Sequence, residues 1–146
     1  MKKTLLLLTL AVLILSACTT PRNSLVGTWK LTAYGPKATP TPAVTDAEAT
    51  LTFDKDGNVF GSGGCNSLGG TYKVDGNEIT FSEITSTLMA CEDERMTQEG
   101  VVTLVLSGTA TYEIKDNMLT LTREDMVLIF TSTSAPGSYP NSYSYP

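Results

Sequence analysis

The sequence predicts an α+β domain: an antiparallel β-sheet of consecutive hairpins packed against one main helix. Three observations point there. Short alternating apolar–polar segments recur, separated by turns rich in Asp, Asn and Gly. One longer segment, near residues 92–106, carries acids at its head and a glycine just past its end. Two cysteines, Cys65 and Cys91, lie in the middle of the chain, where a covalent staple would help a domain of modest size.

The alternation starts at Leu25-Val26-Gly27-Thr28-Trp29-Lys30-Leu31, whose odd positions face one way and whose Thr28 and Lys30 face the other. Gly35 to Ala47 holds Pro36, Pro40 and Pro42, which remove backbone donors and fix φ, so a surface loop is expected. Thr50–Phe53 and Val59–Gly61 flank Asp54-Lys55-Asp56-Gly57-Asn58 as a hairpin. Thr71–Val74 and Glu78–Phe81 flank Asp75-Gly76-Asn77, and Thr109–Ile114 and Met118–Leu121 flank Lys115-Asp116-Asn117. Arg123-Glu124-Asp125 turns into a last strand, Met126–Phe130. Between them, Glu92 to Leu106 reads as the helix, although Gly100 and the run Val-Val-Thr-Leu-Val-Leu would also suit a strand.

The ends read differently. Met1-Lys2-Lys3 is basic, and Thr4 to Leu15 is almost continuously apolar. Twelve residues are too few to span a hydrocarbon layer of about 30 Å, which needs about 20, but they fit the apolar region of a secretory signal. Leu15-Ser16-Ala17-Cys18 resembles the lipobox of bacterial lipoproteins, in which small residues admit the backbone to a peptidase cleft and the cysteine thiol takes a diacylglycerol. The expected organisation is a signal peptide over residues 1–17, a lipid-anchored tether over 18–23, a globular domain over 24–131 and a disordered Ser/Pro/Tyr tail over 132–146. Acylation at Cys18 would hold the chain to a membrane of the cell envelope. Thr19 lacks the charge of an inner-membrane retention signal, so in a bacterium with two membranes the expected place is the outer membrane, facing the periplasm.

Composition excludes several functions. The net charge is −5, and loss of Lys2 and Lys3 leaves 8 basic residues against 15 acidic, or −7. A chain so acidic is repelled by phosphate backbones, which excludes nucleic acid as main partner. It contains no histidine, so a Ser-His-Asp triad and imidazole-ligated zinc are excluded. No enzyme constellation, metal site or cofactor is expected.

The stretch Gly61 to Gly70 invites a phosphate-loop reading and fails it, because no Lys-Ser/Thr and no helix pattern follow. A tight or bulged connection, or a ligand-contacting loop, remains. With Cys18 acylated, Cys65 and Cys91 read as a disulfide, with two buried free thiols as the alternative. The closed loop of about 27 residues would contribute roughly 3–4 kcal/mol in the chain-entropy picture. Asp54 to Asn58 echoes a calcium loop but lacks the later bidentate Glu. Glu92, Asp93 and Glu94 suit a solvated helix start better than acid–base work.

Val26-Gly27-Thr28-Trp29-Lys30-Leu31, Gly63-Gly64-Cys65-Asn66 and Thr87-Leu88-Met89-Ala90-Cys91 before an acidic helix together resemble the META domain, also called the HslJ-like family, over roughly Ser24 to Thr131. The motif loop is then carried by Gly63, Gly64 and Asn66. The resemblance implies a small exported lipoprotein with antiparallel strands wrapped on one helix and no enzymatic residues to transfer. It implies a role in envelope stress response or assembly by analogy, since family members are linked to heat induction, drug resistance and virulence, and the fold to a secretion pilotin. The alternative is a binding module at the membrane surface, pilotin-like or inhibitor-like, for an envelope protein or a small ligand held between helix and sheet.

Overall fold

A computed structural model describes residues 24–133; the expected signal peptide, Cys18 and nearly all of the expected tail lie outside them. Ten elements follow in order: β1 (Gly27–Pro36), β2 (Thr41–Pro42), β3 (Thr50–Phe53), β4 (Asn58–Ser62), β5 (Ser67–Asp75), β6 (Glu78–Ser86), α1 (Asp93–Leu106), β7 (Thr109–Lys115), β8 (Met118–Arg123) and β9 (Met126–Ser132).

The strands pair antiparallel, neighbour to neighbour, from β3 to β9, and β1 joins both β3 and β9. The β1–β9 ladder runs from Trp29↔Ser132 to Pro36↔Met126, with a bulge between Leu31 and Ala33. It closes eight strands into a barrel, with β2 a two-residue extra rung on β1. The expected α+β arrangement, a sheet of hairpins packed against one main helix, is therefore corrected. The described residues are mostly sheet, the sheet is closed on itself, and the single helix among them is short. Closure removes the edges that an open sheet would leave for aggregation.

Period two explains the interior. Leu51 and Phe53 of β3, Val59 of β4, Leu68 of β5, Ile79 and Phe81 of β6, Leu119 and Leu121 of β8 and Phe130 of β9 alternate with exposed or half-exposed neighbours and fill the barrel. On β1 the buried set is Trp29 and Leu31, and the bulge resets the phase so that Tyr34 is buried next. Phe53 meets Tyr72 edge to face, with centroids 5.1 Å apart.

The ends of the barrel differ. At one end lie Leu25, the start of β1, the turn after Phe53 and the end of β9, where Thr133 donates its amide to the Thr28 carbonyl at 2.9 Å. β4 carries the chain from there to the other end, where Ser62 pairs with Thr50 and Ser67. Helix α1 lies across that second end. Its buried face is Gln98, Val102, Val105 and Leu106, spaced by four, three and one, and it packs against β9, β1, β7, β6 and β8. Arg123 of β8 donates to the Leu104 carbonyl at 2.8 Å, capping the helix end with a cation. Among the described residues no helix is long and apolar enough to cross a membrane.

The predicted hairpin turns form with local side-chain chemistry. Asp54 Oδ1 accepts the amides of Asp56 and Asn58 at 2.9 and 2.8 Å, and Oδ2 accepts Asn58 Nδ2 at 2.7 Å. These bonds, the Asn58 side-chain bond foremost, hold the Asp54 carboxyl below its ordinary 3.8. A depressed folded value means stability that is present above the unfolded value and is lost as pH falls through the folded one. Asn58→Ala is expected to raise the Asp54 titration toward 3.8, read by carbon-13 NMR of the carboxyl; an unmoved titration would contradict this assignment.

Candidate functional site

The residues singled out by sequence meet at the second end of the barrel. Cys65 and Cys91 form a disulfide, with Cα atoms 6.0 Å apart. Gly63, Gly64, Cys65 and Asn66 make the turn between β4 and β5, and the outer residues of the glycine-rich stretch belong to the two strands.

Asn66 is buried, at 3% exposure, and its side chain is fully engaged. Oδ1 accepts the Met89 amide at 2.7 Å and the Thr87 hydroxyl at 2.8 Å. Nδ2 donates to Glu99 Oε1 at 2.7 Å and to the Met89 carbonyl at 3.2 Å. An amide side chain offers two donors and two acceptor positions, so nothing is left for a ligand. Glu99 Oε2 accepts the backbone amides of Asn66 and Cys65. Glu99 thus binds the loop as an anion would be bound by successive peptide N–H groups.

Gln98 forms the second tie. It is fully buried, donates Nε2 to the Gly63 carbonyl at 2.9 Å and accepts the Val44 amide on Oε1 at 2.8 Å. One side chain joins the β4–β5 turn, the proline-containing loop and the helix. The glycines follow from this closeness. A Cβ on Gly63 would stand 2.9 Å from Glu99 Cγ, and one on Gly64, whose φ is +115°, would overlap Gln98 Nε2. The motif is a latch between loop, helix and the Thr87–Cys91 segment.

Gln98 and Glu99 were missed by sequence reasoning. The available signal was Gln98 itself, a polar residue on the apolar stripe with Val102 and Val105. Glu99 looks like any exposed acid on a helix. Among the described residues no group of three or more metal-ligating side chains is gathered, and Glu92, Asp93 and Glu94 are exposed at the helix start. Two surface clefts have volumes of about 190 and 230 Å³, below the roughly 300 Å³ at which ligand pockets begin. The first is lined by Val44, Asp46, Glu92, Glu94 and Arg95, the second by residues of β7 and β8 with Lys37 and Asn77.

A family model described as META domain matches residues 23–135. No curated protein matches the chain. Among solved structures, a protein from Burkholderia xenovorans determined by NMR is similar at a TM-score of 0.63 and 21% identity, covering 75% of this chain and 83% of that one. A second NMR structure gives 0.61 and 21%, covering 77% and 94%. A DUF4847 family protein from Bacteroides vulgatus gives 0.53 and 20%, covering 72% and 91%. At these identities the likeness is one of fold.

Proposed function

The chain belongs to the META domain family, and from that premise we propose that it is a non-enzymatic, lipid-anchored domain of the cell envelope that works by binding a partner through its outer surface, in envelope stress response or assembly. One observation carries the reading: the barrel interior is filled. Phe53, Phe130, Leu51, Ile79, Leu119, Leu121 and Leu128 are all under 2% exposed inside it, and helix α1 adds Val102, Val105 and Leu106 across one end. A barrel of eight strands is just wide enough either to be filled by its own side chains or to hold one small ligand, and here the side chains take the space. A ligand held between helix and sheet, the alternative considered from sequence, would have to displace Val102 and Val105. Binding then falls to the outside.

The anchor is supported by the lipobox ending at Cys18, and the non-enzymatic reading by the absence of histidine from the sequence and by the structural employment of Asn66, Gln98 and Glu99. The test has two readouts on the full chain. Labelled palmitate is expected to enter the wild type and not Cys18→Ala, and cis-parinaric acid is expected to show no stoichiometric uptake. An unlabelled wild type removes the anchor; saturable one-to-one uptake of the fatty acid removes the outer-surface reading.

A further inference from the structure

We propose that Leu88 and Met89 form a rigid apolar pad that docks a protein partner whose own apolar face is rimmed by basic residues. The inference rests on the outer-surface reading above and names its place and partner. Leu88 is 95% exposed and Met89 57%. Single exposed apolar side chains are ordinary, but here the chain is tied on both sides of Leu88, at Thr87 and at Met89, by the buried Asn66 side chain. Met89 has both its amide and its carbonyl bonded to the Asn66 side chain. Thr87 is fixed by Asn66 Oδ1 and by its amide on the Ser67 carbonyl at 3.0 Å. Cys91 is tied to Cys65. The segment is therefore ordered before any partner arrives, which removes much of the entropy cost of binding. Met96, 41% exposed, lies on the same helix face as Glu99, one turn earlier, and is a further adaptable apolar side chain on the helix that Asn66 is bonded to.

Charge selects the partner. Glu92, Asp93 and Glu94 follow the pad and are exposed. The nearby base, Arg95, is engaged by Glu92 at 3.3 Å and by the Asp46 carbonyl at 2.9 Å. An acidic rim repels an anionic bilayer and a second copy of itself, and it steers a basic surface inward. Position agrees. Both described termini leave from the opposite end of the barrel, so the described ends of the chain do not cover the pad.

The experiment uses the full-length protein in phosphatidylcholine nanodiscs, titrated with a short amphipathic Leu/Lys peptide and with its Leu/Glu counterpart, and read by hydrogen exchange and affinity. The Leu/Lys peptide is expected to protect residues 87–96, and Leu88→Ser/Met89→Ser to weaken it at least tenfold while the disulfide and melting point are kept. Glu92→Lys/Glu94→Lys should weaken it comparably, and the Leu/Glu peptide should not bind. Equal binding by the double serine variant overturns the proposal, as does no binding at all. Protection of 87–91 in phosphatidylethanolamine/phosphatidylglycerol nanodiscs without peptide assigns the pad to lipid and overturns it, as does a dimer dissolved by the serine variant. Protection confined to another part of the outer wall also overturns it while leaving the outer-surface reading intact.

Discussion

Replacing Cys65 and Cys91 together by serine is expected to lower the stability of the domain by about 3–4 kcal/mol and its melting point by roughly 15 °C. The two cysteines are 26 residues apart, and the loop they close contains all of β5 and β6. When the chain unfolds with the bridge intact, those two strands remain confined to a ring. Without it they gain the full freedom of an open chain, so the unfolded state is the one that benefits from the change. The folded state is touched less, because Asn66 and Glu99 still hold the loop against the helix. The expected signature is therefore a large fall in melting temperature with little change in the native circular dichroism spectrum. Thermal unfolding of the wild type with and without reductant, beside the double variant, checks it. A loss below about 1 kcal/mol would mean that the ring hardly constrains the unfolded chain.

Asn66→Ala is expected to cost about 2–4 kcal/mol, because it removes a buried side chain that partners several part-buried groups at once. The Met89 amide and the Thr87 hydroxyl lose their acceptor, and Glu99 loses a donor. The change also frees Thr87–Ala90 from the barrel, so amide protection there should fall more than in β8 or β9. Asn66→Asp, nearly the same size, is expected to be no rescue. It would replace the donor facing Glu99 with a second carboxylate, and two like charges at that distance repel. Denaturant unfolding with hydrogen exchange measures both effects. Near-neutral stability in either variant would show that the loop stands without its latch.

These expectations concern groups that were only half legible in the sequence. The hairpins could be read because their turns are local chemistry: Asp54 caps its own turn, Gly76 takes φ of +60°, and Asp116 and Glu124 take similar values at the next two corners. The helix could be read from Asp93 and Glu94 at its head and Gly108 past its end. The disulfide followed from what remains once Cys18 is assigned to lipid. Barrel closure could not be read. Trp29 and Ser132 are brought together by tertiary pairing across most of the domain, and neither β1 nor β9 carries a local mark naming its second neighbour. The same alternating strands would suit a sheet covered by a helix, which is why a sheet of hairpins packed against one main helix was expected. The bulge at Gly70 and Glu83, where Ile84 folds over the glycine, is likewise set by packing. Gly63, Gly64 and Asn66 were visible as a motif, but their task was not, since it depends on Gln98 and Glu99 arriving from a helix more than thirty residues away.

The latch at the end of a filled barrel is most directly tested by a double-mutant cycle on Asn66→Ala and Glu99→Ala, with unfolding free energies measured for all four proteins. A joint that works as one unit predicts that the second substitution costs far less once the first is made, with a coupling of about 2 kcal/mol. Losses that add to within about 0.5 kcal/mol would show that loop and helix are held independently, and would contradict the account.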